Sequence, residues 1–532
     1  MKTYIFNNIS LPLDAFEGDA FDEVRRRLRQ YRILPSDATF RLYRRSVDAR
    51  KREAVHFVFS VAVTGSFPKI PASELARLGM SEQREDAEPS FSPSARLSAR
   101  PVVVGAGPAG LFCALRLAEA GYAPIILERG ASVEERALAH ERFCRTRVLD
   151  TESNIQFGAG GAGTFSDGKL VTRISDPAVN RILRAFVDFG APREILWQAK
   201  PHVGTDILRT VVSRMCAHLV SLGAEIRYHT KVEQLVVKDG TVVALRTSCG
   251  DLPCGAVILA VGNSASELFR SMLSSSLVIL PKPFSVGVRI EHLQADIDSA
   301  LYGSFAGHPA LGHAEYQLSH DTKGRGVYTF CMCPGGEVIA AASEKETVVV
   351  NGMSYHARGG VNANSAVAVS IFPEDYGATP LGAIQFRERL EREAYRVGGG
   401  DYTAPAIRLG SFLYGEPIRE SGKVTPSYLG GAVRYASPET WLPPFITEAL
   451  RGGLRAFDGR ISGFADRDAV LTGVETRTSC AIRILRDERR HAIGTGNLYP
   501  CGEGAGYAGG ITSSAADGYR TALALMSEYA PF

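Results

Sequence analysis

An α/β architecture is predicted by three stretches of the chain. Residues 101–130, PVVVGAGPAGLFCALRLAEAGYAPIILERG, run as apolar strand, Gly-x-Gly-x-x-Gly turn, amphipathic helix and second apolar strand. Residues 206–262 add a helix, a short strand, a hairpin and the strand VILAVGNSA, and near the end NLYPCGEGAGYAGGITSSAADGYRTALAL reads as strand, glycine-rich loop and helix. Together they predict a Rossmann-like dinucleotide-binding domain, interrupted by a mixed β-rich insertion and preceded by a small α+β domain. The expected boundaries are 1–78 for the N-terminal domain, 79–99 for a linker, 100–281 and 446–532 for the two parts of the dinucleotide domain, and 282–445 for the insertion.

The N-terminal domain reads βαββ: strand Tyr4 to Ile9, amphipathic helix Ala20 to Tyr31, then strands around Phe40 to Ser46 and Val55 to Thr64. Its basic runs RRRLRQYR and RLYRRSVDARKR raise RNA or a protein partner as an alternative role. Residues 1–100 hold 17 Lys/Arg against 13 Asp/Glu, interleaved, which fits a solvated helix face instead. The stretch SEQREDAEPSFSPSARLSA is charged, then Ser/Pro-rich, and is expected to be a linker.

Within 101–130, Gly105 permits the tight turn, Gly107 lets the backbone approach a pyrophosphate, and Ala109 and Gly110 begin a helix packed closely on the strand. The helix N-terminus offers free amides and the positive end of its dipole to a diphosphate. Glu128 ends the second strand, followed by Arg129, where a carboxylate can accept bonds from both hydroxyls of an adenosine ribose. In 206–262 the helix is expected over Ile207–Leu222 and the hairpin turns at Asp239-Gly240. The backbone of Val232 is placed to meet an adenine edge, and Gly262 to let the chain end close to the cofactor.

The C-terminal motif decides between dinucleotides. Glu503, after Gly502, is expected to reach ribityl hydroxyls or phosphate, while Gly509, Gly510 and Ile511 open a helix capped by Thr512 or Ser513 and aimed at a flavin pyrimidine edge. Reduced flavin carries negative charge there, and a helix N-terminus stabilises it. The cofactor expected is therefore non-covalent FAD, in the order of elements found in flavoproteins of the glutathione-reductase type. A third loop, NIQFGAGGAGTFSDGKLVTR (154–173), could cradle the pyrophosphate or roof the flavin through Gly161, Thr164, Ser166 and Lys169.

The combination of FGAGGAGTFSDGKL, KPFSVGVRIEH, VYTFCMCPGG, VVVNGMS, VETRTS and LYPCGEGAGYAGGI resembles the uncharacterised FAD-dependent dehydrogenase family, often labelled NAD(FAD)-utilizing dehydrogenases. The resemblance spans nearly the whole chain and implies FAD binding and a split flavin domain with an inserted domain. It supplies no substrate.

A small-molecule oxidoreductase is expected. No second Gly-x-Gly-x-x-Gly follows a strand, so a separate NAD(P)H domain is not expected: either NAD(P)H docks transiently as electron donor, or the enzyme oxidises a substrate and passes the electrons to another acceptor. In the insertion, KPFSVGVRIEH is read as a strand, GRGVYTFCMCPGGEVIAAASE as a hairpin, SAVAVSIFP as a strand and ERLEREAYRV as a lid helix. Substrate-cleft candidates are Arg289, Glu291, His292, Asn351, Ser354, Asn364, Arg477 and Thr478. Arg477 leads, because arginine can hold a carboxylate or carbonyl bidentately near the last flavin strand. Cys249 and Cys254 sit on the wrong element for a flavin-linked pair, Cys331 and Cys333 are read as buried on one strand face, and Cys501 as a core residue. The net charge of +3 argues against nucleic acid or an anionic membrane as main partner. The absence of an apolar leader or long apolar run and the scattered nine cysteines lead to the expectation of a cytoplasmic protein.

Overall fold

The structure is a computed structural model describing residues 1–83 and 89–532. The middle of the expected linker, 84–88, lies outside the described residues. The chain divides into two compact units, Met1–Ser90 with Pro192–His202 and Ala295–Ala314, and Phe91–Ala191 with Val203–Gln294 and Glu315–Phe532. Among the described residues no helix is long and apolar enough to cross a membrane.

The first unit has the expected βαββ order, as Lys2–Leu11, Glu17–Gln30, Thr39–Asp48 and His56–Gly65. Helix Glu17–Gln30 buries Ala20, Val24 and Leu28, one per turn, so its arginines are left on the outer side. There Arg26 and Arg27 pair with Glu23 at 2.8 and 2.7 Å, and Arg25 pairs with Asp22, which breaks up the basic run. The linker expectation is corrected at its start. Met80–Gln83 is a fourth strand, antiparallel to Lys2–Leu11, because that strand still had an unpaired edge. The unit also gathers residues 192–202, which the sequence assigned elsewhere: Arg45 lies between the rings of Phe57 (4.9 Å) and Trp197 (4.7 Å), and its amide donates to Trp197 O at 2.7 Å.

The second unit is built on two large sheets. The first has five parallel strands in the order Leu498–Pro500, Val257–Leu259, Val102–Val104, Ile125–Leu127, Glu225–Arg227. Its VVV, IIL and VIL runs are buried throughout, as a parallel sheet covered on both faces demands. The hairpin Val232–Lys238 and Thr241–Thr247 turns at Asp239 (φ 49°) and Gly240 (φ 70°), the left-handed pair of a tight hairpin. A strand not foreseen, Gly250–Pro253, completes a three-stranded sheet between Cys249 and Cys254.

The second large sheet has seven strands, ordered Ser319–Thr322, Arg325–Cys333, Asn362–Ile371, Phe284–Leu293, Val470–Glu475, Ala404–Arg408, Val433–Tyr435. Val470–Glu475 lies inside it, so the insertion does not end at 445, and the dinucleotide domain resumes only after this strand. A two-stranded ribbon, Ile279–Pro281 against Ile482–Ile484, joins the chain entering this sheet to the chain leaving it, with Lys282 N donating to Ala481 O at 2.9 Å.

Two further expectations are corrected here. The GRGVYTFCMCPGGEVIAAASE hairpin does not form: Glu337–Ala340 pairs with Val350–Met353 instead. The chain turns away at Gly335 (φ 48°), where a Cβ would lie 1.7 Å from Arg358 O. The expected lid is helix Pro380–Gly398, which buries Ala383, Ile384, Phe386, Leu390 and Ala394 together with Arg387, Glu388 and Glu391. It is a wall of the domain.

Candidate functional site

Three glycine-rich segments meet beyond the C-terminal ends of the parallel strands. At the first, Gly105 (φ 103°) leaves strand Val102–Val104, and a Cβ there would lie 2.6 Å from Ala260 O. Helix Pro108–Glu119 starts at once, with Gly107 as N-cap and proline at its first position. Gly110 lies so close over the turn that a Cβ would come within 1.9 Å of Gly105 O. The first-turn amides, at Ala109 and Gly110, have no partner within the helix by its geometry.

The second segment is 158–164. Gly160 N donates to Ala106 O at 2.8 Å, and a Cβ on Gly161 (φ 62°) would be 3.1 Å from Gly107 Cα. Arg136, wholly buried, holds this loop by donating to the carbonyls of Asn154 (2.7 Å), Ala159 (2.8 Å) and Ile155. The third segment is 502–511. Gly504 abuts Val261 O and Gly502 abuts Ala109 Cβ, where added Cβ atoms would lie at 1.9 and 2.7 Å. Helix Ile511–Glu528 crosses helix Pro108–Glu119 at Gly518, where a Cβ would be 2.0 Å from Ala109 O. Gly163 and Ile511 touch, and Thr512 Oγ1 donates to Leu170 O at 2.8 Å, so the third segment also rests on the second. The helix cap is Gly510. Thr512 is spent on Leu170, while Ser513 Oγ accepts from Gly509 N at 3.3 Å.

The predicted residues divide sharply. Glu128 is buried and accepts three backbone amides, Ala106 N (2.8 Å) on Oε2, and Gly130 N (2.9 Å) and Gly158 N (3.0 Å) on Oε1. It fastens the first two loops to the strand end and keeps one further acceptor position on Oε2. Arg129 stacks on Phe157 at 3.9 Å and pairs with Glu152 and Glu267. Val232 is a buried strand start paired with Thr247. The polar side-chain groups of Thr164, Ser166 and Lys169 bond inside the loop: Thr164 Oγ1 donates to Ala159 O (3.4 Å), Ser166 Oγ donates to Gly163 O (2.6 Å), and Lys169 pairs with Asp167 (2.8 Å). Asp167 is fully buried and also pairs with Arg358 at 2.6 Å. Burial pushes its carboxyl up, but the Lys169 and Arg358 charges prevail and hold it well below the usual range.

Around Glu503 a polar cluster forms. Asn263 Nδ2 donates to Glu503 Oε1 (2.5 Å) and to Arg477 O (3.0 Å), and its own carbonyl accepts both Arg387 Nη atoms at 3.3 Å. Burial pushes the Glu503 carboxyl up to about 7, against the Asn263 hydrogen bond and the Lys282 and Arg387 charges.

Arg477, the leading substrate candidate, has its side chain engaged by neighbours of the fold. Its guanidinium forks onto buried Glu391 (3.0 and 2.7 Å) and donates to Ser343 Oγ (3.0 Å), which leaves no fork for a substrate. The other cleft candidates are likewise committed to the fold. Arg289, fully buried, donates to Glu475 (2.6 Å), Asn364 (2.9 Å), Asn351 (3.0 Å) and Cys331 O (2.9 Å). Glu291 accepts from Ser427 Oγ (2.6 Å) and Asn362 (2.9 Å), and His292 Nε2 meets Phe464 O at 2.7 Å. Ser354 bonds Pro334 O (3.0 Å) and Thr478 bonds Ser285 O (2.9 Å). Sequence reasoning missed Arg136, Asn263, Arg387 and Asp517, whose Oδ2 accepts Gly502 N at 2.8 Å. None sits in a local pattern that marks it; each acquires its role by long-range contact.

A dinucleotide fits this cradle. A Cβ at Gly262 or Gly509 would meet no heavy atom within 4 Å, and one at Gly107 only Gly161 Cα at 3.9 Å. These glycines follow the C-terminal ends of three adjacent parallel strands, the place where such sheets bind nucleotides.

Comparison with known proteins gives three domain matches: a domain of unknown function (DUF8436) over residues 6–64, an FAD binding domain over 100–139, and "FAD-dependent protein, C-terminal domain-like" over 283–478. An uncharacterized protein of Clostridium beijerinckii is 41% identical over 529 residues, 98% of each chain. Among solved structures, glycine oxidase from Bacillus cereus overlaps with a TM-score of 0.32 at 11% identity, covering 81% of this chain and 98% of that one. Glycerol-3-phosphate dehydrogenase from Bacillus halodurans, complexed with FAD, gives 0.35 at 13% identity, covering 81% and 64%. Overlaps of this size are too slight to bear on function.

Proposed function

The chain belongs to one family with the Clostridium beijerinckii protein and carries an FAD-binding domain, and from that premise we propose that it is an FAD-dependent oxidoreductase. In this reading it holds FAD non-covalently in a glutathione-reductase-type fold and acts as a dehydrogenase on a small organic molecule, with NAD(P)H a transient electron donor where one is needed. The observation that carries it is the convergence of the three glycine loops at the start of helix Pro108–Glu119, Gly161 on Gly107 and Gly502 on Ala109, with open space at Gly262 and Gly509. Bound FAD supplies two-electron chemistry on an organic substrate.

The chain's own residues then have separate tasks. Gly105, Gly107, Ala109 and Gly110 bring bare backbone and the first helix N-terminus to the diphosphate. Glu128 holds the loops and turns its remaining acceptor position toward a ribose hydroxyl. Gly161 closes the second loop on the first, while Thr164, Ser166 and Lys169 stiffen it from behind. Glu503, set by Asn263, meets the ribityl or phosphate segment, and Gly510 and Ile511 aim the last helix at the pyrimidine edge. Arg477 acts at one remove, fixing Asn263 through its carbonyl. Nine free cysteines fit the reducing cytoplasm.

Gly107→Val tests the reading. Its φ of −77° and its single distant neighbour mean valine fits the fold but fills the cradle. The wild type should purify yellow, with its visible flavin spectrum lost in the variant while far-UV circular dichroism is unchanged. A folded variant with normal flavin content removes the site from this loop.

A further inference from the structure

Asp517 lies nearly two turns into helix Ile511–Glu528, with its carboxylate turned back to the strand end that feeds the third glycine segment. Four donors meet its two oxygens: Gly502 N (2.8 Å) and Arg486 Nη1 (2.9 Å) on Oδ2, and Arg486 Nη2 (2.7 Å) and Arg490 Nη1 (2.8 Å) on Oδ1. All three side chains are largely buried. Burial pushes the Asp517 carboxyl up, but the Arg486 hydrogen bond and charge and the Arg490 charge prevail and hold it at about 2.

Arg486 does more than neutralise Asp517. Its Nη1 also donates to the carbonyl of Pro500 (2.8 Å), the last residue of strand Leu498–Pro500. Its guanidinium lies 3.7 Å from the centre of the Tyr507 ring, and its backbone amide donates to Tyr507 Oη at 3.2 Å. Tyr507 N in turn donates to Gly502 O at 3.2 Å and closes the loop. One arginine therefore touches both ends of 502–507, the stretch that carries Glu503. Its middle has no slack: Gly504 abuts Val261 O, and a Cβ on Gly506 would lie 2.6 Å from Ile482 O. Arg490 is different. Among the described residues its guanidinium bonds only Asp517 and Thr521 Oγ1 (3.1 Å), and no part of the loop. Desolvation cancels much of the attraction within a buried ion cluster, so stability alone is a poor account of this one. What it does specify is the path of the chain from Pro500 to Tyr507.

We propose that Arg486 is a positioning residue of the cofactor site: by bracing Asp517, Pro500 and Tyr507 at once, it holds Glu503 and the start of helix Ile511–Glu528 in the arrangement that favours reduced over oxidised flavin. The proposal rests on the FAD reading above. Reduced flavin carries negative charge at its pyrimidine edge, and the amides and dipole of a helix start act on such a charge only at close range. Oxidised flavin is neutral there. A loosened loop therefore weakens the hold on the reduced form more than on the oxidised form. The ratio of those two affinities sets the potential of the bound flavin, so the brace acts on the potential through the loop, without touching the cofactor.

Three variants of the full chain test this. Arg486→Lys keeps a charge for Asp517 but loses the planar fork and the face over Tyr507. Its affinity for reduced FAD should fall about tenfold relative to that for oxidised FAD, which is a drop of about 30 mV in the two-electron midpoint potential of the holoprotein. Tyr507→Leu leaves Arg486 on Asp517 and removes the other end of the brace. Its potential should fall in the same direction, and it decides the matter if Arg486→Lys does not fold. Arg490→Gln takes a charge from the same carboxylate without touching the loop and should keep the wild-type potential. Equal weakening of both redox forms in Arg486→Lys and Tyr507→Leu, with the potential unmoved, overturns the positioning role, and so does an equal drop in Arg490→Gln. In the flavin-free protein, amide hydrogen exchange across 502–507 should quicken about tenfold in the first two variants and not in the third. A wild type that shows this exchange pattern but takes up no FAD sinks the FAD reading and the tuning of its potential. A flavin-loaded wild type whose potential no variant moves sinks the positioning role alone.

Discussion

Substituting Glu503→Gln removes a carboxyl whose hold on its proton the fold strengthens. Burial raises it from an ordinary 4.5 to about 7. Each tenfold change in proton affinity is worth about 1.4 kcal/mol, so the full rise corresponds to about 3 kcal/mol, trimmed to about 2–3 by the residue's residual contact with solvent. The sign follows from which state ionises first. Below pH 4.5 both folded and unfolded chains keep the proton, and the contribution is fully present. Between 4.5 and 7 the unfolded chain ionises while the folded one does not, so stability falls as pH rises, and above about 7 the loss is complete. Glutamine cannot ionise, so the variant lacks this slope. Urea unfolding of the flavin-free protein, followed by the fluorescence of buried Trp441, should show the variant gaining about 2–3 kcal/mol on the wild type between pH 5 and pH 8. Parallel pH profiles for the two proteins would refute the assignment of a buried, proton-retaining acid to this position.

Other substitutions probe the frame around the cradle. Arg477→Ala strands buried Glu391 and should cost about 3–5 kcal/mol in unfolding free energy, with part of the loss recovered in the double variant with Glu391→Ala. Unchanged stability with a raised KM would restore Arg477 to the substrate. Gly518→Ala forces a methyl to within 2.0 Å of Ala109 O at the helix crossing, and it should cost about 1–3 kcal/mol and lower flavin content. Gly509→Ala, with open space around it, should leave stability at the wild-type value. Equal effects of these two glycine substitutions would argue against the close crossing.

The parts of the fold legible in the sequence are those written in neighbouring residues. The turn at Gly105–Gly110 is local: strand, glycine spacing and helix start all lie within ten residues, and their geometry follows from backbone sterics. Asp239-Gly240 is legible for the same reason. What the sequence hides is pairing at a distance. Arg477 reads as a free guanidinium at a strand end until Glu391, on a helix 86 residues earlier, is seen beneath it. Val470–Glu475 reads as part of the returning dinucleotide fold, but strands are assigned by edges, and Phe284–Leu293 offered one. Glu128 stands at its strand end as the local pattern predicts, yet the Gly158 amide that shares its Oε1 comes from a loop thirty residues on. The break in strand Arg325–Cys333, where Cys331 takes the left-handed conformation (φ 45°) and overturns the expectation of two thiols on one strand face, has no glycine or proline to announce it.

The ribbon of Ile279–Pro281 and Ile482–Ile484 bears on how such a molecule can be put together. All seven strands of the second large sheet lie between its two strands, so some two hundred residues leave the nucleotide fold and come back through a single doorway two strands wide. To the five parallel strands, that whole sheet is topologically one long surface loop, whose closure entropy grows only slowly with length. The doorway fixes the two ends of the guest, and Arg387 and Arg477 of the guest reach back to Asn263 beside Glu503, so a change in the packing of the inserted sheet is passed to the cradle of the host.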